Sequence, residues 1–165
     1  MKHRIAARGI LLDASDRILL EDEQDARGED EFWALPGGGL EAEDDSLVAC
    51  VCREFREETG LTVKVGPLLY VHEFSEPSRQ MHHLVVCFLV HGAEGDLHET
   101  DPQQPLQGAE LRRHVRWFTQ TELQTVRVYP RELRDSFWRD RTAEKTQVPY
   151  LGVQREGQVV YGTPG

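Results

Sequence analysis

Residues 37–61 read GGGLEAEDDSLVACVCREFREETGL, and this stretch limits the fold more tightly than any other. Three consecutive glycines let the backbone turn tightly and approach another group closely. Asp45 or Ser46 can cap a helix over residues 46–59. Leu47, Val48, Val51, Cys52 and Phe55 recur at helical spacing and predict one buried face. Gly60 follows the last turn, where a left-handed residue closes a helix. On that helix Glu54, Glu57 and Glu58 stand at i, i+3 and i+4, so three carboxylates share about one turn of one face. Like charges this close raise each other's proton affinity. A hard cation such as Mg²⁺ relieves that repulsion and also accepts phosphate oxygens as ligands. The bland alternative is a solvated helix face whose charge Arg53 and Arg56 offset. The glycine run just upstream and the helix stop just downstream favour a site.

The rest of the chain supplies strands around this helix. Residues 3–12 and 17–21 read as two strands joined by the turn Asp13-Ala14-Ser15-Asp16. Residues 22–31 are a charged loop. Phe32-Trp33-Ala34-Leu35 is a short apolar segment, ended by Pro36 and a tight glycine turn. Residues 63–74 and 83–91 are rich in β-formers. The second, HLVVCFLVH, is nearly all apolar, as in a strand buried on both faces. Residues 92–108 form a loop long enough to carry function. Residues 114–118 read as a strand, a short helix follows near Thr119–Leu123, and residues 130–139 read as a helix with Pro130 in its first turn. A hairpin around Glu156-Gly157 is expected in the tail. No repeat or linker divides the chain, so one domain over residues 1–165 is expected.

Composition narrows the partners. Of 165 residues, 39% are apolar and 29% charged, the balance of a globular chain rather than a disordered one. The net charge of −10 argues against a long nucleic acid as partner, but a small phosphorylated substrate is compatible with it where a divalent cation inverts the local field. Cys50, Cys52 and Cys87 make an odd count and read as reduced packing residues. No stretch reaches the roughly 20 apolar residues of a membrane span. The expected compartment is the cytoplasm, and a homodimer is left open.

The segment resembles the Nudix box: Gly, five residues, Glu, seven residues, then Arg-Glu-aliphatic-x-Glu-Glu-x-Gly-aliphatic. Arg53-Glu54-Phe55-Arg56-Glu57-Glu58-Thr59-Gly60-Leu61 matches its second half, with Phe55 at the aliphatic position. Counting back gives Asp45 at the first acid and Gly39 at the start. Trp33-x-Leu35-Pro36-Gly37-Gly38 and the later Arg116-Trp117-Phe118 are also similar to the family. Aligning from Pro36-Gly37-Gly38 instead makes the loop one residue longer than usual, with the insertion placed in residues 41–45.

The resemblance implies a Nudix α/β/α sandwich with a mixed β-sheet and a loop–helix–loop box. It implies Mg²⁺-dependent hydrolysis, with Mn²⁺ as a substitute ion, of the diphosphate bond in a nucleoside diphosphate linked to another group: ADP-ribose, a nucleotide sugar, or a modified nucleoside triphosphate. Glu54 and Glu58 would bind metal. Glu57 would bind metal or deprotonate the attacking water. A carbonyl of Gly37, or of Gly38 in the other alignment, would complete the site. Arg53 would pair with an acid of the box, with Glu57 first in line, and Asp45 would steady the loop through Arg53. Glu110 is the expected acid outside the box, ahead of Glu94 and Glu99. Trp33 is the expected substrate contact, with Phe32, Tyr70, Phe74, Arg79, Arg112 and Arg113 as weaker candidates, and His82 and His83 read as structural. The alternatives are an inactive Nudix-like nucleotide-binding module and an unrelated domain with an acidic helix.

Overall fold

A computed structural model describes residues 1–24, 31–97, 114–144 and 147–157. Among the described residues, nine strands and two α-helices follow in chain order. They are β1 (Lys2–Ile10), β2 (Ile18–Gln24), β3 (Glu31–Ala34), β4 (Gly37–Gly39), α1 (Leu47–Thr59), β5 (Thr62–Glu76), β6 (Met81–Glu94), β7 (Val115–Phe118), β8 (Val128–Tyr129), α2 (Ser136–Asp140) and β9 (Tyr150–Arg155). The strands form two sheets, ordered β4-β1-β6-β5-β9 and β7-β2-β3-β8. The first is mixed: β1 and β6 are parallel, as are β5 and β9, while β4 and β5 run antiparallel to their neighbours β1 and β6. Together with helices this is the α/β Nudix sandwich that the resemblance implied, although the division into two sheets goes beyond it.

Alternation along β1 separates two cores. Ala6 and Ile10 join Tyr70, Cys87, Leu133 and Phe137 on one side. Ala7 and Leu11 join Val51, Phe55, Val63 and Val86 under α1 on the other. Gly9 lets sheet and helix pack closely: an added Cβ there would sit 2.4 Å from Cε2 of Phe55.

Several local expectations are corrected. The glycine run is not a tight turn but a short edge strand on β1, with Ala6, Ala7 and Arg8 opposite Gly39, Gly38 and Gly37. The buried face of α1 is Cys50, Val51, Glu54, Phe55 and Thr59; Val48 is 46% exposed. Position 54 falls on the same helical face as Cys50, Val51 and Phe55, so the buried stripe includes a glutamate that apolar spacing alone leaves out. Residues 130–139 form two short turns of helix broken at Asp135, whose φ of −140° lies outside the helical region and whose side chain caps Ser136. Gly92, Ala93 and Glu94 extend β6 rather than opening a loop. In the tail, β9 lies parallel to β5; the return arm of the expected hairpin, like most of the loop at 92–108, lies outside the described residues.

Candidate active site

Ser46 starts α1 by accepting a hydrogen bond from the amide of Ala49 through its hydroxyl. Gly60 ends it at φ 77°, its own amide donating to the carbonyl of Arg56. Apolar packing of Val51 and Phe55 fixes the helix about its axis. Its acidic side then borders a cleft of about 570 Å³. Glu54, Glu57 and Glu58 line this cleft together with Gly37, Gly38 and Gly39. Glu54 is buried, Glu58 half-buried and Glu57 exposed. Gly38 stands against Glu54: a Cβ at that glycine would lie 2.4 Å from Oε1.

Arg53 holds this wall together. Its Nε donates to Oδ1 of Asp44 at 2.9 Å and its Nη2 to Oδ2 at 2.8 Å. Nη2 also donates to the carbonyl of Gly39 at 3.1 Å. Nη1 reaches Oε1 of Glu54 at 3.0 Å and Oε2 of Glu57 at 3.3 Å. Glycine strand, acidic loop and helix are therefore joined through one guanidinium. Hydrogen bonding from Arg53 holds the Asp44 carboxyl down at about 2, against some desolvation. The loop acid that grips Arg53 is thus Asp44 and not Asp45, which corrects the count made back from the helix.

The opposite side of the cleft comes from the strands. Arg8, in the middle of β1, donates to Glu23 at 2.8 Å, to Glu21 at 3.3 Å and to the Leu35 carbonyl at 2.6 Å. Burial works against its charge, but Glu23 and Glu58 outweigh that and raise its pKa. Phe32, Phe74 and Tyr129 also line the cleft; their rings meet at centroid distances of 4.9 to 5.8 Å. His83 contacts Glu76 at 2.7 Å, and Glu76 also accepts from Arg79 at 2.9 Å.

The structure brings part of the residues named from the sequence together. Glu54, Glu57, Glu58, Arg53 and Gly37 are brought to one wall, with Phe32, Phe74 and Arg79 on the same cleft. Trp33 is not there. It points from the other face of β3 and packs edge-on against Phe118 at 4.7 Å, with Arg116 over its ring. Tyr70 is fully buried and donates to Asp140 at 3.1 Å. Glu110, Glu99, Arg112 and Arg113 lie outside the described residues. Among the described residues, no three His, Cys, Asp or Glu side chains converge into a preformed metal cluster; Arg53 draws Glu54 and Glu57 to itself. Arg8, Glu23 and His72 were missed. For Arg8 and His72 a signal was available: Ala6, Arg8 and Ile10, like Tyr70, His72 and Phe74, place a polar residue on an otherwise apolar face of a strand.

The model of the NUDIX domain matches residues 2–137. No curated protein matches the chain in sequence. Among solved structures, the ORF135 protein of E. coli superimposes with a TM-score of 0.64 at 22% identity, covering 89% of this chain and 96% of that one. A MutT NUDIX hydrolase from Burkholderia pseudomallei gives 0.56 at 23% identity over 74% and 87%. An ADP-ribose pyrophosphatase from Streptococcus suis gives 0.55 at 19% identity over 92% and 98%. Likeness at these identities establishes a shared fold, and the domain match covers most of the chain, including the whole acidic wall. The chain belongs to the Nudix family, whose members are hydrolases of pyrophosphate bonds.

Proposed function

We propose that the chain is a Mg²⁺-dependent pyrophosphatase, with Mn²⁺ as a substitute ion, that cleaves the diphosphate bond of a nucleoside diphosphate linked to another group. ADP-ribose, nucleotide sugars and modified nucleoside triphosphates are the substrate classes. The observation that carries this reading is that Glu54, Glu57 and Glu58 line one cleft together with the glycine strand and with the rings of Phe32, Phe74 and Tyr129. The acids and glycines suit a phosphate chain and the rings a flat base.

The residues present fit a hard divalent ion. Gly38 leaves the space that a Cβ would fill directly beside Oε1 of Glu54, and the donors available there are carboxylate and carbonyl oxygens, the set that Mg²⁺ prefers. Glu54, Glu58 and a carbonyl of Gly37 or Gly38 would hold it. When bound, the ion neutralises the diphosphate and lowers the pKa of a coordinated water. Glu57, the most exposed of the three acids, would bind metal or take the proton of the attacking water. Water oxygen bonds to phosphorus, the bridging P–O bond breaks, and two phosphate-bearing products leave. Arg53 is a positioning residue, since it orients Glu54 and Glu57 and ties them to the loop.

The reading extends to the whole chain. The pairing of β9 with β5 supports one domain over residues 1–165, and the free thiols of Cys50, Cys52 and Cys87 support a reducing, cytoplasmic setting. The test is a panel of nucleotide diphosphates incubated with purified protein and Mg²⁺ or Mn²⁺, with products identified by mass. Cleavage at a diphosphate bond in at least one compound is expected. Tight binding of a nucleotide without turnover of any would replace the enzyme with a binding module.

A further inference from the structure

His72 has no part in the chemistry above, yet it is the most unusual side chain in the cleft. It is 2% exposed and lines the cleft wall. Its Nε2 has no hydrogen-bond partner among the described residues. A buried polar atom left this way is costly, and such atoms are few in native proteins. The other ring nitrogen, Nδ1, lies 3.4 Å from the carbonyl oxygen of Glu73. A carbonyl only accepts, so the proton belongs on Nδ1 and Nε2 carries a lone pair. The ring stays neutral at physiological pH: burial, above all, pushes its pKa down to about 4, with Arg8 and His83 adding to the effect and the Glu73 carbonyl opposing it.

Strand register places His72 within the sheet. His72 pairs with Val85, and Ala6 pairs with both Val85 and Gly39. His72 therefore stands three strands from the glycine edge, roughly 14 Å at the usual strand spacing. Beside it, Phe74, Phe32 and Tyr129 offer flat apolar surface. A nucleotide with its phosphates at the glycine edge would lay its base against these rings and bring the far edge of that base to His72.

We propose that His72 is a specificity-determining residue whose Nε2 accepts a hydrogen bond from an exocyclic amino group of the nucleobase, selecting amino bases over their keto counterparts. This rests on the reading of the cleft as a nucleotide site. A keto oxygen in the same position would face the lone pair and leave two acceptors unpaired.

The experiment compares matched nucleotides that differ only at that group. Binding of AMP against IMP, and of CMP against UMP, is measured by calorimetry on the full chain without metal, so hydrolysis is not required. At least one pair should favour the amino member by about tenfold, the effect of one buried hydrogen bond. His72→Phe, which keeps a flat ring and removes the acceptor, should erase that preference, and His72→Gln, whose amide oxygen can accept, should keep part of it. Equal or reversed affinity in both pairs overturns the proposal, as does a preference that persists in His72→Phe. The wild-type comparison decides even where the Phe variant does not fold. A chain that prefers AMP or CMP but hydrolyses nothing keeps this inference and removes the enzymatic reading instead.

Discussion

Arg53 grips Asp44 with two parallel hydrogen bonds, Nε to Oδ1 at 2.9 Å and Nη2 to Oδ2 at 2.8 Å. A bidentate pair of this kind fixes direction as well as distance, so the acidic loop is set by the same side chain that orients Glu54 and Glu57. Asp44→Asn should therefore lower kcat by about tenfold, the scale of a misplaced catalytic group, while Asp45→Asn leaves it unchanged. The carboxyl of Asp44 sits at about 2 when folded, against an ordinary 3.8. Its contribution to stability is complete above pH 3.8 and disappears as pH falls through 2. Acid unfolding followed by circular dichroism should be less steep in that window for Asp44→Asn. The stability difference at pH 7 should be on the order of 1 kcal/mol after solvent screening.

Of the three helix acids Glu54 is buried, while Glu57 and Glu58 reach the cleft from outside the core. Glu57→Gln and Glu58→Gln should each cut turnover by about a hundredfold or more. Neither side chain is packed in the core, so melting temperatures should move by only a few degrees. Steady-state kinetics with Mg²⁺ together with thermal melts check both halves. Wild-type turnover in both variants would remove the assigned roles.

Two glycines offer a matched contrast. At Gly38 an added methyl would lie 2.4 Å from Oε1 of Glu54; at Gly9 it would lie 2.4 Å from Cε2 of Phe55. The first neighbour is the tip of a polar side chain on the cleft, and the second is a packed ring under the helix. Gly38→Ala should cost activity by about tenfold or more with a small change in stability. Gly9→Ala should cost about 1–3 kcal/mol of stability, the usual penalty for overpacking, with kcat retained in the folded fraction. Denaturant titrations and turnover on the same preparations distinguish the two.

His72 should leave a mark on stability as well as on recognition. Its folded pKa of about 4 lies below the ordinary 6.5. Between those values the unfolded chain binds a proton that the folded chain does not, so stability is complete above pH 6.5 and declines as pH falls toward 4. The loss amounts to about 3 kcal/mol at most. His72→Gln should flatten the melting temperature over that interval, and an unchanged slope would show that the ring is not held neutral by burial.

The helix and its acids were legible from residue spacing, because Ser46, Gly60 and the i, i+3, i+4 glutamates act through local geometry. The apolar strand at 83–91 was legible for the same reason. The partner of Arg53 was not: Asp44 and Asp45 are neighbours in sequence, and only the path of the loop decides which one turns toward the guanidinium. The glycine run looked like a turn because glycine favours turns, yet here the absence of side chains lets a strand edge lie close to Arg8 and Glu54. Trp33 was assigned to the cleft on its chemistry. In a strand, neighbours face opposite ways, and Phe32 took the inward position. Residues that build the far wall, Arg8, Glu23 and His72, are brought together by pairing between strands distant in sequence, which no local pattern records.

Strand β9 adds the last rung of the first sheet, hydrogen-bonded to β5 on the side away from β6. Gln154 on it donates to Glu132 at 2.9 Å and accepts from the amide of Arg131 at 3.2 Å, and the Arg155 carbonyl accepts from Tyr129 at 3.2 Å. The family match stops at residue 137, so a chain trimmed to that match would bare the backbone of β5 and loosen Tyr129 at the aromatic wall. Such an uncovered rim invites sticking between molecules, and the trimmed protein should precipitate where the full one stays clear.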